Sequence, residues 1–202
     1  LNDSLLLIAV DGIQALNLKN GAEWAYQTAT VKKHIGKMIG VNLLGIVVEA
    51  LTGVYTYQSQ PDVVFDLISN MLIDPAGNVV LASRDQITRV SPRGNIMWSQ
   101  PLPQKMTSKS SLFLVGSSIH MINRGYAMYN GELARVGDPY IAAFDLNDGN
   151  QRYLTPIPEK DKSIRSYQAV GDQLFLITDN QVMTYSLQEG VRVSDWAANL
   201  EK

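Results

Sequence analysis

Hydrophobic and polar residues alternate along most of the chain in short runs, and polar turns that contain glycine separate these runs. Residues 11–28 show the pattern: residues 13–18 alternate, Lys19, Asn20 and Gly21 form a polar break, and residues 22–27 alternate again. A hydrophobic period of two is typical of β-strands. Glycine is favoured in a tight turn because the central residues of the turn need φ > 0. This segment is therefore predicted to be an antiparallel hairpin.

The same arrangement of strand, glycine turn and strand returns at residues 47–60, 87–103, 141–158 and 182–196. The turn glycines are Gly21, Gly53, Gly94, Gly149 and Gly190, so their spacings are 32, 41, 55 and 41 residues. An aromatic residue follows each glycine, namely Trp24, Tyr57, Trp98, Tyr153 and Trp196. Repeats of strands alone with a period near 40 are typical of β-propeller blades.

The predicted fold is therefore all-β, a β-propeller of four-stranded antiparallel blades. About five units are visible in one domain, at residues 1–28, 29–60, 61–103, 104–158 and 159–202. The first unit lacks its innermost strand. Helical spacing within residues 61–71 leaves open a short helical turn there.

Composition narrows the functional classes. Hydrophobic residues make up 46% of the 202 residues, which suffices for a substantial core. The formal net charge of -2 argues against a nucleic-acid surface. The chain has no cysteine, and no apolar run approaches the roughly 18 residues of a transmembrane segment.

Residues 143–149 followed by Tyr153, and residues 15–21 followed by Trp24, resemble the Ala-x-Asp-x-x-x-Gly-x-x-x-Trp repeat of pyrroloquinoline-quinone (PQQ)-like β-propellers. The aspartate is present only at Asp145, because Asn17, Glu49 and Ser186 replace it in other copies. This family includes quinoprotein dehydrogenases and the propeller lipoprotein of the outer-membrane β-barrel assembly machinery. The resemblance implies a bacterial periplasm or cell-envelope location. It also implies seven or eight blades, so we expect part of a larger propeller whose open terminal blades self-associate.

The aromatic residues of the repeat have a physical role in such a fold. A ring that packs on the neighbouring blade buries roughly 150–250 Å² and couples the two blades. We therefore interpret Trp24, Tyr57, Trp98 and Tyr153 as structural residues.

Candidate chemistry is sparse. His34 and His120 lie in different units, and neither has neighbours at metal-ligand spacing. The segment that begins at Asp145 is similar to the start of a calcium loop, but Pro156 stands where such a loop carries glutamate. We predict no catalytic residue, no bound metal and no cofactor.

The alternative function is that of a PQQ-dependent dehydrogenase. The resemblance implies that such an enzyme holds the quinone and calcium at the centre of eight blades, with an acid catalyst and usually a vicinal disulfide. The chain has no cysteine and only five visible units, and no acid matches the catalyst.

Residues 124–139 interrupt the repeat with an insertion, and loops of this kind carry specific functions in repeat proteins. Its residues Arg124, Tyr126, Tyr129 and Arg135 are of the types enriched at interaction hot spots. The insertion would otherwise only pack over a blade or cover a sheet edge. We predict a non-catalytic scaffold that presents loops to a protein or carbohydrate partner.

Overall fold

The computed structural model describes residues 5–8, 12–21, 23–27, 71–82, 86–103, 110–129, 132–135, 137–158, 164–179 and 181–197. In these residues every regular element is a β-strand, and every pairing between strands is antiparallel. The prediction of an all-β propeller with four-stranded antiparallel blades is confirmed.

The strands of the described residues form four blade-like sheets and one inserted hairpin. The first sheet has three strands, β1 Leu5–Ile8, β2 Gly12–Asn17 and β3 Glu23–Gln27. The second sheet has β4 Met71–Ile73, β5 Val79–Ala82, β6 Gln86–Val90 and β7 Ile96–Pro101. The third contains β8 Ser110–Val115, β9 Ser118–Asn123, β12 Tyr140–Asp145 and β13 Gln151–Pro156. The fourth contains β14 Ser166–Val170, β15 Gln173–Ile177, β16 Gln181–Ser186 and β17 Arg192–Ala197.

The outer turn of each sheet is closed by a glycine with positive φ. In the third sheet Gly149 has φ 76°, and its N–H donates to the Asp145 carbonyl at 3.0 Å. A β-bulge between Ala143 and Phe144 precedes this turn, and equivalent bulges occur in the second and fourth sheets. A residue with a Cβ would be strained at this φ, which explains why glycine recurs there.

Three hydrophobic clusters lie between consecutive sheets. Val80, Ile87 and Trp98 of the second sheet pack with Met121 and Phe144 of the third. The third and fourth sheets share another cluster, which includes Ile122, Ile141, Leu174, Met183 and Tyr185. Tyr26 of the first sheet packs with the buried residues Val79, Leu81 and Val90 of the second. Apolar burial between sheets thus holds the described part of the fold together.

A ring on the outer strand of one sheet rests on the turn glycine of the next. These ring–glycine contacts are Trp24 with Gly94, Trp98 with Gly149, and Tyr153 with Gly190. A Cβ added to Gly94 would lie 2.8 Å from the Trp24 ring, and one added to Gly149 would lie 2.5 Å from the Trp98 ring. The absence of a side chain at these glycines is therefore required for the rings to pack as they do.

The first sheet packs directly on the second, although residues 28–70 separate them in sequence. The Trp24 indole N–H donates to the Pro92 carbonyl at 3.0 Å. The Tyr26 hydroxyl lies 3.2 Å from Thr88 Oγ1 and accepts from Gln86 Nε2 at 2.9 Å. Gly53, Tyr57, His34, Glu49 and residues 61–70 of the possible helical turn lie outside the described residues, and Met71 lies in β4.

The fourth sheet departs from the pattern of aromatic residues. In the second and third sheets the ring-bearing residues pair with the last residue before the bulge, as Trp98 does with Arg89. The equivalent position in the fourth sheet is Ser194, which pairs with Thr184. Trp196 lies two residues further along β17, opposite Val182. The sequence spacing places Trp196 six residues beyond Gly190, and the register shows that serine occupies the structurally equivalent position.

Candidate binding hairpin

The insertion predicted at residues 124–139 contains a β-hairpin between β9 and β12 of the third sheet. β10 Tyr126–Tyr129 pairs antiparallel with β11 Glu132–Arg135. In the described part of the chain neither strand pairs with a third strand. The hairpin is therefore an addition to the four-stranded blade and is not one of its strands.

The side chain of Asn123 fixes the start of the hairpin to the blade. Asn123 is 2% exposed, and its Oδ1 accepts from the Gly125 N–H at 2.8 Å. Its Nδ2 donates to Ser110 Oγ at 3.3 Å and to the Tyr140 hydroxyl at 3.5 Å. Burial raises the pKa of Tyr140, so this hydroxyl stays protonated. A buried amide with several partners holds the backbone at the base of the hairpin in one position.

The two ends of the hairpin meet at a pair of glycines. Gly125 has φ 74°, and a Cβ there would overlap the Gly137 carbonyl oxygen. The Gly137 N–H donates to the Gly125 carbonyl at 3.3 Å. The Ile157 N–H donates to the Pro139 carbonyl at 2.8 Å, which ties the exit of the hairpin to the end of β13. Close backbone approach thus closes the base of the hairpin.

The structure places the four residues predicted to bind a partner along this hairpin. Arg124 precedes it and is half-buried, and its buried Nε has no hydrogen-bond partner among the described residues. Half-buried Tyr126 pairs with exposed Arg135, and Tyr129 pairs with Glu132 at the other end. Tyr126 and Arg135 are thus brought opposite each other, whereas Tyr129 is three residues away along β10.

Side chains of both charges lie at the end of the hairpin. Arg135 Nη2 lies 3.9 Å from Asp138 Oδ1, and both side chains are substantially exposed. Exposed pairs at this distance contribute little to stability.

The residues that hold the hairpin, Asn123, Gly125 and Gly137, were not predicted from the sequence. One local signal was available, because Asn130 and Gly131 form the dipeptide most favoured in two-residue hairpin turns. The anchoring by Asn123 depends on Ser110 and Tyr140, which are distant in sequence, so no local pattern could indicate it.

His120 and Asp145 contact other side chains of the third sheet. His120 is 3% exposed, its Nδ1 lies 3.1 Å from the Tyr153 hydroxyl, and its ring stacks on Phe113 at 5.3 Å. Burial lowers the pKa of His120 to about 4, with a smaller effect from the charge of Arg152. The Arg152 guanidinium bonds Asp145 at 2.6 Å and lowers the pKa of that carboxyl.

Within the described ranges no three or more histidine, aspartate or glutamate side chains lie together as metal ligands would. The described ranges contain no helix that is long and apolar enough to cross a membrane.

No family model matches the chain, and no curated protein matches it. Solved β-propellers are similar to it in structure. The WD40 domain of Neurospora crassa Pan2 has a TM-score of 0.51 and 12% identity, over 98% of this chain and 47% of that chain. The β-propeller domain of Cps50 (Swd1) from Myceliophteria thermophila has a TM-score of 0.53 and 10% identity, over 100% of this chain and 58% of that chain.

At these identities the likeness shows the fold alone. This chain spans about half the length of the two solved propellers. The narrower expectation of a PQQ-like family stays a prediction, because it depends only on the repeat around Asp145 and Gly149.

Proposed function

We propose that this chain is a non-catalytic β-propeller scaffold that binds a protein partner through the β10–β11 hairpin. The observation that carries the proposal is a hairpin inserted at one blade, with its base closed at Gly125 and Gly137. A hairpin held in one position loses little conformational entropy on binding, which favours affinity.

The chemistry of the hairpin favours a protein over a carbohydrate. Tyr126 and Arg135 lie opposite each other, and tyrosine and arginine are enriched at the hot spots of protein interfaces. In the described chain β10 and β11 have no further strand neighbour, so either could pair with an extended segment of a partner. A carbohydrate could use the tyrosine ring but not the strand edge.

The test compares the double variant Tyr126→Ala/Arg135→Ala with Arg93→Ala. Arg93 is also exposed but lies in the outer turn of the second sheet, so it controls for the loss of a surface charge. Partners captured by cross-linking from source cells are then measured one by one with purified proteins. We expect the double variant to weaken a genuine partner about tenfold or more, which is about 1.4 kcal/mol. A double variant that binds every captured partner as the native chain does would refute the hairpin proposal.

Two further proposals concern the location and the catalytic class of the protein, and only the first derives from the resemblance of the repeat. The first is a bacterial cell-envelope location, which fractionation of the full-length protein would test. The second concerns catalysis: we expect no tight uptake of PQQ and calcium in a spectral titration. Saturable binding of the quinone that requires calcium would favour the dehydrogenase alternative instead.

A further inference from the structure

Most of the described arginines lie beside a carboxylate of the chain. The pairs are Arg89 with Asp74, Arg135 with Asp138, Arg152 with Asp145, Arg165 with Asp179, and Arg192 with Asp195. In the described ranges no carboxylate pairs with Arg93 or Arg124. Arg93 is exposed in an outer turn, so water solvates its charge, whereas Arg124 is half-buried. The charge of Arg124 is thus partly withdrawn from water and has no counter-ion among the described residues.

The two edges of the Arg124 guanidinium have different surroundings. Its Nε is buried and has no hydrogen-bond partner among the described residues. Nη1 and Nη2 are not sealed from solvent in this way, and no described residue accepts from them. Burial of an N–H without an acceptor is unfavourable, so the polar groups of Arg124 do not stabilise the free chain. The two terminal nitrogens remain available to a ligand.

Contacts on both sides of Arg124 hold its backbone in place. Asn123 is buried, and its Oδ1 accepts from the Gly125 N–H at 2.8 Å, which spans Arg124. Gly125 packs so closely on Gly137 that a Cβ there would overlap the Gly137 carbonyl oxygen. An arginine fixed in this way loses less conformational entropy on binding than a mobile one.

The chemistry of Arg124 favours a carboxylate as its ligand. A carboxylate has two oxygens that match the parallel N–H groups of Nη1 and Nη2, and its single negative charge balances one guanidinium. A phosphate group carries about two negative charges at neutral pH and needs a second cation. The other arginine of the hairpin, Arg135, already lies 3.9 Å from Asp138 Oδ1.

We propose that Arg124 binds the carboxylate of an aspartate or glutamate side chain of the protein partner through Nη1 and Nη2. The proposal rests on the proposed function, because it assigns the chemical group with which the partner contacts the base of the β10–β11 hairpin. The shielded edge of the guanidinium strengthens this contact, since charges attract more strongly where water is excluded.

A stability measurement shows whether the chain itself already supplies the carboxylate. Arg124→Met retains an apolar stem and removes the charge and the Nε–H. We expect its melting temperature to be equal to or above that of the native chain, because the lost N–H has no partner. Arg93→Met is the matched control for the loss of one exposed charge. A melting temperature of Arg124→Met below both others would show that Arg124 pairs within its own chain, for example with a carboxylate of residues 28–70, and would overturn the proposal.

A titration with N-acetyl-glutamate N-methylamide, which has one carboxylate, tests the ligand class. Nuclear magnetic resonance follows the arginine Nε–H signals and the Gly125 N–H at constant ionic strength, and the Arg124 signal is the one that Arg124→Met lacks. We expect a saturable shift, with an affinity at least about tenfold higher than for the corresponding glutamine amide. Arg124→Lys keeps the charge but lacks the planar pair of donors, so it should bind the glutamate amide more weakly.

Two results of this titration would overturn the proposal. The first is an Arg124 signal that moves no more than that of Arg93. The second is inorganic phosphate that binds as tightly as the glutamate amide, since the site would then be one for phosphate.

Binding of a purified partner separates this proposal from that of the hairpin. We expect Arg124→Met to weaken the partner about tenfold. A partner that Tyr126→Ala/Arg135→Ala weakens, but that Arg124→Met binds as the native chain does, would overturn the carboxylate site alone. A partner that the double variant binds as the native chain does would overturn the hairpin proposal, while a saturable shift of Arg124 would still support the carboxylate site.

Discussion

Asp74 and Arg89 form a buried ion pair that ties the second sheet to the third. Asp74 accepts from the Asn78 N–H at 2.9 Å and from Arg89 Nε at 2.9 Å, and its side chain is fully buried. Arg89 Nη1 donates to the Leu146 carbonyl at 2.8 Å. Burial alone would raise the pKa of Asp74, but the hydrogen bonds from Asn78 and Arg89 outweigh it and hold the pKa below its usual value.

Removal of one partner leaves the other charge buried and unpaired. We therefore expect Asp74→Ala to lower the free energy of unfolding by about 3–5 kcal/mol in urea denaturation at pH 7. The control is Asp179→Ala, which removes the exposed partner of Arg165 and should change the stability little. Equal effects of the two variants would contradict the structural role of the Asp74 pair.

Because His120 is buried, we expect the protein to lose stability in mild acid. Its pKa in the folded protein is about 4, below the 6.5 of an exposed histidine, so below pH 6.5 the unfolded chain binds the proton more tightly. The stability is fully present above pH 6.5 and falls as the pH drops towards 4. Between pH 7 and pH 5 we expect a loss of about 1 to 2 kcal/mol from this residue.

The measurement is urea unfolding at pH 7 and pH 5 for the native chain and for His120→Gln. Glutamine cannot titrate, so the difference between the two pH dependences isolates His120 from the carboxylates and from His34. A variant with the same pH dependence as the native chain would show that the histidine is solvated in the folded state.

The ring–glycine contacts predict different costs for two similar glycine substitutions. Gly149→Ala places a Cβ 2.5 Å from the Trp98 ring and also strains a residue with φ 76°. Gly171→Ala strains a similar backbone, with φ 59°, but its Cβ meets nothing within 4 Å. We expect Gly171→Ala to lower the free energy of unfolding by about 1 kcal/mol. Gly149→Ala should lower it by about 2 kcal/mol more, because overpacking adds to the backbone strain. Thermal denaturation of both variants measures the difference, and equal melting temperatures would contradict it.

Local patterns predicted the elements well because strands and turns depend on neighbouring residues. Alternation and the turn glycines predicted the outer hairpins of the described sheets, and the predicted starts at residues 141 and 182 lie one residue from the starts of β12 and β16. The hairpin of Tyr126 was foreseen only as an insertion, since two short strands with no partner sheet have no buried face to pattern. Nothing in the sequence distinguishes Arg89 from other polar residues in strands. Its pairing with buried Asp74 is evident only from the structure.

The contacts between sheets could not be predicted in full from the sequence, for the same reason. Contacts such as Trp24 on the turn of Gly94 join residues far apart in the chain, and nothing local to either residue specifies the other. The aromatic after each turn predicted that rings would pack on the neighbouring blade, but it did not predict that Trp24 would pack on the second sheet across residues 28–70. The register of β17 likewise decided that Ser194, and not Trp196, is equivalent to Trp98.

At the scale of the molecule, the described sheets differ in how many of their faces are covered. The second and third sheets each pack against a sheet on both sides, and β5 and β9 are buried along their whole length. The fourth sheet packs on the third through one face, and four of the five residues of β14 are exposed. Because each sheet contacts only its neighbours, the stability of a sheet follows from the interfaces that it forms.

Native-state hydrogen exchange should therefore distinguish strands that have equal hydrogen bonding. β9 and β15 both have a hydrogen-bonded strand on each side, but among the described residues β9 lies in a sheet that packs on two other sheets, whereas β15 lies in a sheet that packs on one. We expect amides of β9 to exchange at least tenfold more slowly than those of β15, since local opening of the fourth sheet breaks one interface and opening of the third breaks two. Equal protection of β9 and β15 would mean that the four sheets unfold as one cooperative unit, and that the uncovered face of the fourth sheet does not weaken it.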